Sequence, residues 1–130
     1  MPSIIRSVKK EDSYAVKFYD FAIFKFTWSV NDVPDMPFGA AVIRHGTTKI
    51  YYNFIDKTNL RVITDYWEEV LNREQSIREY LSDHGWSGLD SMEIDNVTYV
   101  KGSTQSAIRQ KQLAHDLTQL AVGTFFGHKF

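Results

Sequence analysis

Four histidines, sixteen carboxylates and no cysteine are the side chains through which this 130-residue chain could do acid, base or metal chemistry. His45, His84, His115 and His128 are scattered, and no two stand at the i,i+4 or short-loop spacing that lets imidazoles share one metal ion. No metal centre and no cofactor are expected. His115-Asp116 pairs an imidazole with a carboxylate, but without further ligands on neighbouring elements it reads as the polar face of a helix. The run Gly85-Trp86-Ser87-Gly88 is one residue short of the Gly-x-Ser-x-Gly turn that presents a nucleophilic serine, and it follows a predicted helix where that turn must follow a strand. The seven glycines are dispersed as turn and cap residues, so none forms a phosphate loop. Glu68 with Glu69, and Asp83 with Asp90, bring carboxylates together, yet acid–base catalysis needs them desolvated in a cleft and a helix surface is the opposite environment. An enzyme reading would have to draw on His84, His115 or Asp116 where helices meet, its groups converging from distant positions.

Binding is better supplied than reaction. Residues 14–30, YAVKFYDFAIFKFTWSV, hold seven of the nineteen aromatics. With period two, Val16, Phe18, Asp20, Ala22, Phe24, Phe26, Trp28 and Val30 share one face, which reads as core apart from Asp20. The other face carries Lys17, Tyr19, Phe21, Ile23 and Lys25, alternating cations with apolar side chains. With Tyr51, Arg44 and Arg109 these form the candidate binding set. The combination suits the core of an interface with a protein partner or a second copy of the chain. It also supplies the stacking platform of a single-stranded nucleic-acid or nucleotide binder, to which Lys49 and Lys111 would add charge. The plain alternative is a central strand of a covered sheet, apolar on both faces, with its lysines near the ends.

These residues need a scaffold. Ser3 to Val8 reads as a short strand and Lys9 to Ser13 as a charged turn. Residues 14–30 are too long for one straight strand, so a bend or bulge is expected near Asp20. Asn31 to Gly39 has the Asn, Asp, Pro and Gly of a loop. A hairpin follows around His45-Gly46, pairing Ile43 with Thr48 and Ala41 with Ile50. Trp67, Val70, Leu71, Ile77, Tyr80 and Leu81 recur at helical steps, predicting a helix over about 64–84 with Gly85 past its end. SMEI-DN-VTYV reads as a second tight hairpin, and Ser103 or Thr104 as the cap of a last helix over about 104–122. The expectation is one α+β domain over 1–130, with a largely antiparallel sheet of four to six strands and both helices on one face. Two helices so placed would leave the Tyr19, Phe21 and Ile23 side uncovered.

Composition fixes the class and not the task. Hydrophobic residues make up 43% and charged residues 24%, as in ordinary folded domains. No signal peptide or membrane span is readable, which with the lack of cysteine suits a soluble cytoplasmic protein. The net charge of −1 is unevenly spread: residues 1–63 carry +3, 64–95 carry −7 and 96–130 carry +3. The leading expectation is a non-enzymatic binding protein of the inhibitor, immunity or adaptor type, a phage or bacterial accessory protein that self-associates or docks on a protein through its sheet. Binding of nucleic acid or a nucleotide is the alternative.

Overall fold

The computed structural model describes residues 15–28 and 33–127. The expected strand at Ser3 to Val8, the turn after it, and His128 and Phe130 lie outside them. Four antiparallel strands form one sheet in the order β3-β2-β1-β4, with β1 at Lys17–Phe26, β2 at Met36–Arg44, β3 at Ile50–Phe54 and β4 at Val97–Ser106. Helix α1 spans Lys57–Ile63, α2 Trp67–His84 and α3 Gln110–Phe126, with a 3-10 turn at Trp86–Ser91. The α+β class and the antiparallel sheet are those the sequence predicts.

The alternation of β1 sets both faces. On one, Ala22, Phe24 and Phe26 pack with Leu60 of α1 and with Val70, Ile77 and Leu81 of α2. On the other, Tyr19 and Val42 pack with Leu113 and Ala114 of α3, and Phe21 and Leu117 border them. The helices therefore sandwich the sheet instead of sharing one face. Ala40 and Val42 of β2 and Gly102 of β4 keep the second face low, and Ala114 presents a small side chain to it, so α3 can lie close. Thr118, also buried, donates its hydroxyl to the carbonyls of Asn53 on β3 and Ala114, tying the helix to the sheet's short edge.

Strand β2 begins at Met36, three residues before the predicted end of the loop at Gly39, and it takes in Pro37. The register between β1 and β2 slips after Phe24, so that Phe24 faces Gly39 and Lys25 faces Pro37. The bulge thus lies at Phe38 and not near Asp20. Pro37, which has no N–H to give, sits at this irregularity and beyond the last β2–β3 pair, Gly39 with Phe54, where its missing donor costs no ladder bond. Gly39 is required by contact: a Cβ there would run into the Phe54 ring and lie 2.8 Å from the Asn53 carbonyl oxygen.

The hairpin keeps its predicted faces but not its register. Ile43 pairs with Ile50 and Ala41 with Tyr52, because the connection is longer than two residues, with Thr47 bonding back to the Arg44 carbonyl and Gly46 at φ 84°. Thr64 does not open the long helix. It ends α1, which Asp56 caps by accepting from the Asn59 N–H at 2.8 Å. Gly85, at φ 72°, ends α2 as expected, its N–H bonded to Leu81.

The second tight hairpin is absent from the described residues. Asn96 does adopt a positive φ, 65°, but the strand after it pairs with β1 over all ten residues, from Lys17 opposite Ser106 to Phe26 opposite Val97. Ser103 and Thr104 are strand residues, and the last helix begins at Gln110 and runs to Phe126. Its last turns add Val122, Phe125 and Phe126 to the larger core cluster. Among the described residues no helix is long and apolar enough to cross a membrane.

Candidate functional site

Five of the eight candidate residues converge at one end of the α3 face. Lys17 and Tyr19 from the start of β1, Arg44 from the end of β2, Tyr51 from β3 and Arg109 at the start of α3 line a cavity of about 360 Å³. Lys111 joins them from the first turn of α3, as does Gln110. Antiparallel pairing explains the gathering: Tyr19 lies opposite Arg44 across the β1–β2 ladder, so the end of one strand meets the beginning of the other. Tyr19 is 1% exposed, and its hydroxyl donates to the Ile108 carbonyl at 2.9 Å, which pins the chain just before α3 over the strand ends.

The electrostatics of this cavity are one-sided. Among the described residues, Lys17, Arg44, Arg109 and Lys111 have no carboxylate within ion-pair distance; the ion pairs lie elsewhere, at His45–Asp20, Lys101–Asp90 and His115–Asp116. Lys49 stands over the Tyr51 ring, 5.0 Å from its centroid, adding a fifth cation beside the cavity. The opening of α3 adds to the field. Arg109 precedes the helix without a side-chain cap, so the first-turn N–H groups lack an acceptor from that position and carry the positive end of the helix dipole. Gln110 Nε2 is buried with no acceptor among the described residues. The acidic residues of α2, by contrast, lie across the sheet. The fold thus separates the two charge signs that the sequence carries in separate segments.

A second cavity, of about 400 Å³, adjoins the first along the outer edge of β3. Arg109 and Lys111 border both, and Tyr52, Asn53, Gln112 and His115 complete it.

The remaining candidates are placed elsewhere. Ile23 and Lys25 line an apolar groove between β4 and α3, with Val100 and Leu120 on its walls, 49% and 68% exposed. Phe21 lies between the two regions, its ring so close over Gly102 that a Cβ there would collide with it. The open aromatic strand that the sequence suggested is therefore divided: α3 seals Tyr19, half-buries Phe21 and leaves only the Ile23 end beside a groove.

One cluster escaped sequence reasoning. Asp20 Oδ1 accepts from Ser103 Oγ at 2.6 Å and lies 2.9 Å from His45 Nε2, which assembles serine, carboxylate and imidazole. The order is wrong for nucleophilic catalysis. Both partners meet the same carboxylate oxygen, so the serine proton faces a weak base and not an imidazole. Those bonds, from Ser103 first and His45 second, hold the Asp20 carboxyl below its ordinary value, making it a weaker base still. The residues that the enzyme reading named do not meet as a site: His84 stacks on Tyr80 with centroids 4.2 Å apart, and His115 and Asp116 pair on exposed helix surface. Among the described residues no three His, Asp or Glu side chains gather as a metal site. No protein-family model, curated protein or solved structure matches the chain.

Proposed function

We propose that the protein is a non-enzymatic binder of phosphate-bearing ligands of the nucleotide and single-stranded nucleic-acid class, working in the cytoplasm. The observation that supports this reading is the cavity at the start of α3, where Lys17, Arg44, Arg109 and Lys111 converge without a carboxylate partner among the described residues. Gathering like charges is unfavourable, and an anion seated among them relieves their repulsion while accepting their hydrogen bonds. Tyr51 adds an aromatic surface suited to a base. Fluorescence anisotropy of labelled oligothymidylate at low salt tests the reading: Arg44→Ala and Lys17→Ala should each weaken binding several-fold, and an absence of binding by the unaltered protein overturns it.

A second reading, self-association, is favoured by the groove beside β4. Apart from the turn bond from the Val97 N–H to the Ile94 carbonyl, the outer edge of this ten-residue strand makes no backbone bond to another strand among the described residues, and it borders the exposed Val100 and Leu120. An unpaired edge of that length is a template for another strand, and a second copy supplies one at matching length. An inhibitor, immunity or adaptor role in a phage or bacterial setting would use this groove. Sedimentation of the protein at micromolar concentration tests it, and a monomer at every concentration removes it.

A further inference from the structure

Tyr51 and Tyr52 are neighbours in β3, and because successive strand residues point to opposite faces they line different cavities. Tyr51 belongs to the inner cavity and Tyr52 to the outer. Arg109 and Lys111 border both. The sequence of surfaces along the edge of β3 is therefore aromatic, cationic, aromatic. Each cavity, at about 360 and about 400 Å³, is near the lower end of the range for a small-molecule site. One cavity holds a nucleotide and not a chain of them.

Resting on the reading of the basic cavity as a phosphate site, we infer that the ligand is an oligonucleotide spanning both cavities, with one internucleotide phosphate between Arg109 and Lys111 and the flanking bases toward Tyr51 and Tyr52. The chemistry of the walls matches that order. The bridging position carries the two cations that both cavities share, and Arg109 presents a planar fork suited to two phosphate oxygens. The outer cavity replaces the remaining cations with Asn53, Gln112 and His115, of which Gln112 and His115 now meet Asp116 at 2.7 and 3.5 Å and would exchange that exposed partner for a base edge. A mononucleotide would fill the inner cavity and leave the outer contacts unmade. A strand of two or more nucleotides uses both.

The test compares thymidine monophosphate with oligothymidylates of about two, five and ten nucleotides as competitors of a labelled decamer, with a matched oligouridylate series to separate deoxyribose from ribose chains. The dinucleotide is expected to bind at least about tenfold more tightly than the mononucleotide, one added stacked base being worth a step of that order. Gln112→Ala and His115→Ala, both on exposed helix surface, should weaken the oligonucleotides about three- to tenfold and leave the mononucleotide unchanged. Lys17→Ala should weaken both. Equal affinity for monomer and oligomer, or outer-cavity variants that alter neither, overturns the two-cavity inference while the phosphate site stands. Failure of every nucleotide to bind overturns both.

Discussion

Replacing Glu74 by glutamine should stabilise the protein at alkaline pH and leave it unchanged at acid pH. Glu74 occupies the buried stripe of α2 between Val70 and Ile77, and its Oε2 has no hydrogen-bond partner among the described residues. Desolvation raises its carboxyl to about 7 from an ordinary 4.5, against a smaller opposing pull from Arg78, whose guanidinium stands 5.1 and 4.9 Å from the Tyr52 and Phe54 ring centroids. A carboxyl whose value is higher folded than unfolded is held protonated by the fold. Its cost is absent below about pH 4.5, grows as the pH rises toward 7 and is complete above that. Full linkage would exceed 3 kcal/mol, roughly, but partial solvent contact and Arg78 screen the charge and reduce the cost to about 1–2 kcal/mol. For a domain of this size that corresponds to about 3–8 °C in Tm. Thermal melts followed by circular dichroism at about pH 4 and about pH 8 should show Glu74→Gln equal to the unaltered protein at the lower pH and higher melting at the upper. An equal gain at both values, or a loss at the higher, refutes the assignment of an unpaired buried carboxylate.

Gly39→Ala should cost about 2 kcal/mol or more, since the new Cβ meets the Phe54 ring and the Asn53 backbone carbonyl, and urea unfolding would measure it. Tyr19→Phe removes the hydroxyl that donates to Ile108 and leaves that carbonyl without it, at a cost of about 1 kcal/mol in the same assay. Ser103→Ala deletes the largest influence lowering the Asp20 carboxyl, so its titration by NMR should move up toward the ordinary aspartate value.

The alternation of β1 and the helical period of α2 were legible because burial imposes a period on side chains that their types report directly. The charged and aromatic types of Lys17, Arg44, Tyr51 and Arg109 were legible too, and the fold brings these residues to one cavity with Lys111. What could not be read depends on partners distant in the chain. Lys101-Gly102-Ser103-Thr104-Gln105-Ser106 has turn and cap residues, yet it is strand because it satisfies the full outer edge of β1, a requirement invisible from its own composition. The side chosen by α3 was equally hidden. Its buried residues are Leu113, Ala114 and Thr118 while Leu120 faces outward, and the cover of the second sheet face follows from that stripe. The Asp20 cluster joins residues 20, 45 and 103, and only the meeting of three elements reveals it.

The central claim is that the cavity at the start of α3, whose cations have no carboxylate partner among the described residues, takes a phosphate chain, and the salt dependence of oligonucleotide affinity tests it most directly. With about five cations engaged, log K against log salt should fall with a slope of about −3 to −4, a loss of about a hundredfold between 50 and 200 mM. Arg109→Ala combined with Lys111→Ala should make that slope shallower by about 1 to 2. A slope near zero, or one that the double variant leaves unchanged, would contradict the account.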